Sequence, residues 1–557
     1  MGALPVRAAG RPQRVLLVGF QDQDNLGLRY LCSAVRAAGH EPDILTFDSD
    51  PKSLIARARE TDPDVIGLSL IFQYMTPKFG EVIAAVRAAG IRSHITLGGH
   101  YPSFDYKPVL ELIPGLDSIV RFDGEVTLAL LLNRLAEGAE WRDIHGLACR
   151  LDDGSVHANC LREPVSDLDE LPWPERTDID YESNPLATAS VLGSRGCPWN
   201  CSFCSIRPFY EEQGGKLRRL RRPDAVVSEM IDLHERRGVP LFLFQDDDFL
   251  ATGRRARDWG GAIADLLAEE AGDRRIGFKM SCRSDEVHEE ILRKLMRGGL
   301  THVYMGVESG DTGGLINMNK MLKPETHLRA GAILKSLGLS FDFGFMLMDP
   351  SSTFESIRNN IAFLQAFVGD GWSIAPFCRM LPYAGTPVRR QLAAEGRLKG
   401  TDFQPDYTFL DPKLDFYYDW MLRTFHRRNF TSEGLCHVLR YLSFEARLRI
   451  GEIDETQPRT TAILMYITAQ ANQLACQVLG AALDHLERTP LDQLRLDDEF
   501  LLGLTAWEQM QEDQLMKHVD DYLRLTVHRR LQRGAGGFER SWTFAGTARE
   551  AAGIGAA

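Results

Sequence analysis

Cysteine is sparse in this chain, ten in 557 residues, and apart from one tight cluster the cysteines are scattered. That pattern excludes a disulfide framework and suits a reducing compartment. A basic surplus is also missing: the net charge is −13. A surface that tracks nucleic acid or anionic lipid along its whole extent is thereby excluded. The expected partner is a small-molecule substrate, with no nucleic acid and no membrane, and the expected location is the cytoplasm. MGALPVRAAGRP has neither an apolar leader nor a hydroxyl residue at position six, so no targeting signal is read there. Long apolar runs are missing with one exception, TAILMYITAQANQLACQVLGAAL at 461–483, which Gln470, Asn472, Gln473 and Gln477 interrupt. Amides in hydrocarbon would each need a partner, so this stretch is predicted to be a helix buried in protein. No internal repeat is present beyond an alternation of strand and helix patterns.

That alternation organises the chain, whose length and 44% hydrophobic content predict about three or four domains. From Arg14 onward RVLLVGF, PDILTF, DVIGLSL, HITLGG and DSIVRF alternate with helical segments. They predict an α/β fold opening with a Rossmann-like, doubly wound parallel sheet over residues 12–140. Ligands of such sheets sit beyond the carboxyl ends of the strands, here at 21–25, 69–74 and 98–100. Residues 141–186 hold a turn, LDDGSV, between two short strands and then the proline-rich LPWPERTD, and are predicted as a linker. A second series, TASVLGS, LFLFQDDD, RIGFKMS, THVYMGVES, SFDFGFMLM and WSIAPFCRM, predicts a partial (β/α)6 barrel of the TIM type over 187–395. Residues 396–540 are predicted helical, with Ile463, Ile467, Leu474 and Val478 forming an apolar stripe. The small-residue tail, 541–557, is expected to be disordered.

Within the barrel region, GSRGCPWNCSFCSI at 193–206 sets Cys197, Cys201 and Cys204 close together and offers no fourth ligand nearby. A metal site that only holds a fold wants four protein ligands, whereas one that does chemistry leaves a position open. A zinc knuckle would need a further thiolate or histidine at conventional spacing. The cluster follows the first predicted barrel strand, at the strand end where barrel enzymes place their active sites.

The spacing and its flanks, with Phe203 immediately before the last cysteine, resemble the radical S-adenosylmethionine superfamily. The resemblance implies that Cys197, Cys201 and Cys204 are the catalytic, metal-binding residues, each holding one iron of a 4Fe-4S cluster. The fourth iron would take the amine and carboxylate of S-adenosylmethionine. An electron from a donor such as flavodoxin or ferredoxin would then release a 5'-deoxyadenosyl radical. After the second barrel strand the family carries a Gly-Gly-Glu element that binds the methionine amine, where this chain has Gln245-Asp246-Asp247-Asp248-Phe249. Asp246 or Asp247 is the candidate there, with a solvated loop as the other reading. Arg283 and Glu308 resemble cofactor-lining positions. Arg283 suits the methionine carboxylate and Glu308 the ribose hydroxyls or amine, a structural ion pair being the alternative for each. Met348 and Ser352 depart from the family's turn after the fifth strand, while LPYAGTPV is close to its Pro-Tyr-x-Gly-Thr element and puts Tyr383 at the rim. The basic run Lys216 to Arg222 reads as a solvated or anion-binding loop.

Upstream, NLGLRYLCSAVRAAGHEPDIL, DVIGLSL, LGGHYPS and RFDGEVTLALLL resemble, in order and spacing, the cobalamin-binding domain of one large radical S-adenosylmethionine subgroup, the class B methyltransferases. Cobalamin mutases carry Asp-x-His-x-x-Gly after the first strand. This chain has Asp22-Gln23-Asp24-Asn25-Leu26-Gly27, so Asp24 stands in the histidine's place and no strong lower cobalt ligand is expected from it. Asp24, Asn25, Ser69, Gly98, Gly99 and His100 are the candidate cobalamin contacts. The two glycines would let a large ligand approach the backbone, and His100 either touches the corrin tail or makes a structural bond. The bland alternative is a domain that keeps the fold and binds nothing. Taken together, the resemblance implies a cobalamin-dependent methyltransferase acting on an unactivated carbon of a small molecule or natural-product intermediate. Its cofactors would be a 4Fe-4S cluster, S-adenosylmethionine and cobalamin. Radical rearrangement, cyclisation or dehydrogenation without methyl transfer is the alternative, and a non-catalytic corrinoid and iron-sulfur binding protein is a further one. The carboxy-terminal helices are expected to close over the barrel mouth.

Overall fold

Short aliphatic runs become parallel strands where helices can cover both faces of the sheet. In the computed structural model, which describes residues 4–5, 10–21, 24–181, 187–251, 253–271, 275–448 and 457–532, the first runs do so. Strands β1 (Arg14–Gly19), β2 (Glu41–Thr46), β3 (Val65–Ser69), β4 (His94–Gly98) and β5 (Ser118–Val120) are parallel in the order β2-β1-β3-β4-β5. Every position of β1 after Arg14 is buried, as a strand packed on both sides requires. The sheet continues past β5 through antiparallel β6 (Leu147–Arg150) and β7 (Val156–Ala158). The segment 141–186 thus begins inside the first domain, with Leu147, Ala148 and Cys149 fully buried. A tight turn suffices to join antiparallel neighbours, and LDDGSV supplies it. Only the residues after β7 cross to the second sheet. Residues 182–186, Asp22, Gln23 and the tail 541–557 lie outside the described residues.

The second sheet opens with β8 (Thr188–Val191). A two-residue strand, β9 (Ser194–Arg195), pairs antiparallel with β10 (Arg219–Leu220) and clips the loop between them to the barrel. Strands β11 (Leu241–Phe244), β12 (Gly277–Arg283), β13 (Leu300–Glu308), β14 (Ser340–Met348) and β15 (Cys378–Arg379) complete an open, parallel half-barrel in the order β15-β14-β13-β12-β11-β8. Of the predicted strand WSIAPFCRM only Cys378 and Arg379 pair. The backbone just before them is already claimed: Ala375 N donates to Asn472 Oδ1 at 2.8 Å, and Arg428 donates twice to Ala375 O at 3.1 and 3.2 Å. Groups bonded to side chains cannot join a ladder.

A small hairpin, β16 (Leu398–Gly400) and β17 (Pro405–Tyr407), leads into the helices Lys413–Phe430, Leu435–Arg447, Gln457–Arg488 and Glu499–Gln532. The uncharged stretch 461–483 lies in the third of these, and no described helix is long and apolar enough to cross a membrane. Of its four amides, Gln470, Gln473 and Gln477 face outward. Asn472 is buried and fully bonded, giving its amide protons to Val368 O at 2.7 Å and Ser373 O at 3.0 Å. From the predicted stripe Ile467, Leu474 and Val478 are buried while Ile463 is 39% exposed, the buried face of the first turns being carried by Thr460 and Leu464 instead.

The helix Leu435–Arg447 departs from expectation. Arg440 reaches Asp342 at 3.6 Å and Phe444 meets the His302 ring edge-on at 5.2 Å, near the amino ends of β13 and β14. It floors the barrel rather than closing its mouth. The mouth faces the carboxyl edge of the first sheet.

Candidate active site

Two sets of strand ends look at each other across a cavity of about 350 Å3, within the range of small-molecule sites. From the first domain come Asn25, Gly27, Ser69, Ile71, Gly98, Gly99, His100, Phe122, Gly124 and Glu125; the barrel contributes Leu192, Ser194, Arg195, Phe209, Tyr210, Gln245 and Asp247. Five of the six candidate cobalamin contacts line this space, and Asp24 does not. Its carboxylate turns away, accepting from Ser190 N at 2.9 Å and Tyr181 OH at 3.2 Å, and so ties the first domain to β8. Asn25 caps the helix Leu26–Ala37 by accepting from Leu28 N and donates to Phe20 O. Of the two glycines, Gly98 faces the cavity with only Val120 within 4 Å of where a Cβ would stand, while Gly99 has a packing role. Gly99 has φ +112°, and a Cβ there would collide with Leu70 O, so it serves the packing of the β4 loop. Gly27 also leaves open space: its Cβ would meet only Asn25 Oδ1, at 3.6 Å.

His100 crosses the cavity's edge. Its Nε2 lies 2.7 Å from Ser205 Oγ, and its ring stacks on Phe209 at 4.8 Å. Burial depresses its pKa to about 4, so the imidazole is neutral and belongs to the domain seam. Around it runs a belt of buried ion pairs. Arg195 meets Glu125 at 2.7 Å and Asp123 at 3.6 Å; Arg219 meets Asp123 at 2.7 Å. Arg221 and Arg176 share Glu229 at 2.6 and 2.8 Å. The basic run is therefore solvated only at its ends, Lys216 and Arg222: Arg219 and Arg221 are almost fully buried, because each finds a carboxylate that repays part of its desolvation.

The loop bearing Cys197, Cys201 and Cys204 follows β8 and β9, and the run Asp246 to Asp248 holds it along its length. Asp246 accepts from Gly193 N at 2.9 Å and from Ser194 Oγ, Asp247 from Gly196 N at 2.8 Å, and Asp248 from Trp199 Nε1 at 3.0 Å. Gly196 is obligatory: its φ is +93°, and a Cβ would strike Leu217 O. Burial lifts both Asp246 and Asp247 to a pKa of about 6. Of the two, Asp247 alone lines the cavity. Burial likewise raises all three thiols, Cys204 to about 12. Phe203 packs on the barrel core.

Two cations back Cys201. Arg283 lies over the Trp199 ring at 3.6 Å, donates to Lys320 O at 2.8 Å and to Asp285 at 3.0 Å, and brings Nη1 within 4.0 Å of Cys201 Sγ. Lys320 itself pairs with Glu308 at 3.1 Å. Glu308 holds a left-handed φ of +67°, a strained conformation of the sort that gathers at functional sites. Met348, the last residue of β14, and Ser352, in the turn after it, are buried, and Tyr383 stands 46% exposed beyond β15. Sequence reasoning singles out neither Lys320 nor Arg195. The first sits in NMNKMLK, which matches no motif, and the second lies inside the cysteine loop itself, where the spacing of the thiols is the only local signal.

The donor set suits a polynuclear cluster: three thiols on one loop, spread along it, with cations at one corner. Among the described residues no three His, Cys, Asp or Glu side chains converge on a point that would hold a single ion. The other cavity wall, apolar and glycine-lined, suits a large flat ligand. Comparison with known proteins bears on both halves. Residues 14–132 match the B12-binding domain family and residues 191–364 the radical SAM superfamily. The chain is a B12-binding radical SAM enzyme. Its cofactors are a 4Fe-4S cluster, S-adenosylmethionine and cobalamin. An uncharacterised methyltransferase of Pyrococcus horikoshii is 28% identical to the enzyme over 435 residues, covering 76% of this chain and 88% of that one. An anaerobic magnesium-protoporphyrin IX monomethyl ester cyclase of Rubrivivax gelatinosus is 25% identical over 403 residues, 69% of this chain and 68% of that one. The fold matches the cobalamin-dependent S-adenosylmethionine radical enzyme OxsB with aqua-cobalamin and S-adenosylmethionine bound: TM-score 0.70 at 17% identity, over 94% of this chain and 84% of that one.

Proposed function

We propose that the enzyme methylates an unactivated carbon of a small molecule, drawing the methyl group from cobalamin. One observation carries the reading: a single cavity is walled on one side by the strand ends of the B12-binding domain and on the other by Asp247, which holds the loop of the cluster cysteines at Gly196 N, and by Ser194, Arg195 and Ile206, which flank that loop. When bound, the cluster with S-adenosylmethionine supplies a carbon-centred radical and cobalamin supplies a transferable methyl group.

The chain's own residues then have defined tasks. Cys197, Cys201 and Cys204 hold the cluster. Asp247, whose Oδ2 is engaged by Gly196 N, has Oδ1 for the ammonium of S-adenosylmethionine. Glu308 and Lys320, at 3.1 Å from one another, offer a carboxylate and an ammonium beside the same corner. Ser69, Ile71, Gly27 and Gly98, which line the cavity, would hold the corrin. With Asp24 committed to Ser190 and Tyr181, and His100 to Ser205, no imidazole or carboxylate from those positions is offered to cobalt. An external one-electron donor of the ferredoxin or flavodoxin class completes the system.

Radical chemistry without methyl transfer is the second reading, favoured by the likeness to a cyclase. One experiment separates the two: anaerobic reconstitution with iron, sulfide and cobalamin, then chromatography of nucleoside products with candidate substrates. Methylation yields S-adenosylhomocysteine alongside 5'-deoxyadenosine. 5'-Deoxyadenosine without S-adenosylhomocysteine refutes it in favour of the second reading, and formation of neither leaves a binding protein.

A further inference from the structure

The family resemblance would give Arg283 to the carboxylate of S-adenosylmethionine, but each of the three guanidinium nitrogens already faces a partner within the protein. Nε is held by Asp285 at 3.0 Å, Nη2 by Lys320 O at 2.8 Å, and its face lies on Trp199 at 3.6 Å. The remaining nitrogen, Nη1, points at Cys201 Sγ from 4.0 Å. Trp199 cannot yield, since its own Nε1 is anchored on Asp248 at 3.0 Å. Arg283 is almost fully buried, so water does little to screen its charge.

The neighbouring thiolate site differs. Cys197 has Asp248 and Asp247 as its charged neighbours, whereas Cys201 has the cations Lys320 and Arg283 ahead of the more weakly acting Glu308. Cluster potentials respond to net charge, to hydrogen bonds on sulfur and to burial. Adding one electron makes the cluster more negative, and a fixed cation against a ligating sulfur favours that state.

We infer that Arg283, clamped by Trp199, Asp285 and the Lys320 carbonyl, is a positioning residue that sets the reduction potential of the cluster through the sulfur of Cys201, and is not a ligand of S-adenosylmethionine. This rests on the proposed cluster, with the electron coming from an external one-electron donor, dithionite in the experiment.

The test is an EPR-monitored redox titration of the reconstituted full-length enzyme without S-adenosylmethionine, in wild type, Arg283→Met, Arg283→Gln and Arg283→Lys. The neutral variants should be harder to reduce. At the wild-type midpoint their ratio of reduced to oxidised cluster falls about tenfold, which is about 59 mV for a one-electron couple. Arg283→Lys, which keeps the charge, should lie between them and wild type. Glutamine retains an N–H for the Lys320 carbonyl, so it gives the reading if the methionine variant holds little iron. Binding of S-adenosylmethionine, followed by its perturbation of the reduced cluster's EPR signal, should keep its affinity within about threefold. An unchanged potential with S-adenosylmethionine affinity lost overturns the inference and returns Arg283 to the carboxylate; an unchanged potential alone also overturns it. Failure of the wild type to assemble any cluster would instead refute the proposed function.

Discussion

The two walls of the cavity solve different problems. The B12-binding wall is mostly glycine, serine and aliphatic side chains at strand ends, with Asn25, Phe122 and Glu125 among them, and its one histidine is neutral and turned to the seam. The barrel wall brings Arg195 and Asp247 to the cavity, and behind it Asp246 and Asp248 hold the cysteine loop while Arg283 and Lys320 press on Cys201. A large rigid ligand is received by shape, which costs little beyond leaving side chains out. A small cluster bearing thiolates and cycling its charge needs fixed counter-charges, and these need anchors of their own. Substitutions on the barrel wall should therefore act through chemistry and assembly, and those on the other wall through fit.

The largest contrast is expected from Cys201→Ala. Removing one of three thiolates should abolish 5'-deoxyadenosine and cut iron content, while cobalamin still binds. Cluster-independent formation of that product would sink the assignment. Next comes the seam. Arg195→Met strands Glu125, while Asp123 keeps Arg219, and breaking a buried pair costs about 3–5 kcal/mol. Urea unfolding should show that loss, and Glu125→Gln in the same chain should recover part of it. Additive losses from the two changes would mean that the pair is not coupled.

The walls should also answer acid in opposite ways. His100 has a folded pKa of about 4, below its ordinary 6.5, so the folded state binds fewer protons than the unfolded one. Its contribution is complete above pH 6.5 and is lost as pH falls toward 4. Asp246 is raised from 3.8 to about 6, so the folded state binds more protons there and stability falls as pH rises through that window. The effects, about 1–3 kcal/mol each, oppose one another between pH 4 and 6. His100→Gln should flatten the acid loss, and Asp246→Asn should reduce the opposing slope, of which Asp247, raised to about 6 as well, keeps a part. Chemical denaturation at pH 4.5, 5.5 and 7 measures both; equal slopes in all three proteins would contradict the burial argument.

Much of this was legible in the sequence because period and spacing are local properties. Five runs in the first domain and the runs of the barrel became parallel strands, since aliphatic strands need only flanking helices to be buried. The cysteine loop was readable from its thiols alone. What the sequence hid were partnerships over long separations. LDDGSV looks like a linker turn until β6 finds β5, and KLRRLRR looks solvated until Arg219 finds Asp123 and Arg221 finds Glu229. Asp24 sits at a ligand position by register, yet its side chain points to Ser190, 166 residues away. The expectation that the carboxy-terminal helices close the mouth fails for the helix Leu435–Arg447 for the same reason, because only Arg440 against Asp342 and Phe444 against His302 show which end of the barrel it meets.

The smallest expected effect tests whether shape alone governs the B12-binding wall. Gly27 lies in the first turn of the helix Leu26–Ala37, where a side chain would meet only Asn25 Oδ1. Leucine is a better helix former than glycine by somewhat under 1 kcal/mol, so Gly27→Leu should leave the fold as stable as wild type or slightly more so. Its side chain would project into the cavity and take space from the ligand, weakening cobalamin binding about tenfold, or about 1.4 kcal/mol. Spectrophotometric titration of the purified protein with hydroxocobalamin reads this, with iron content and cluster absorbance as controls that should not move. If affinity falls and the cluster is untouched, the division of labour between the walls holds. If affinity is unchanged, the corrin lies elsewhere along the strand ends, and Ser69 and Ile71 become the residues to enlarge next.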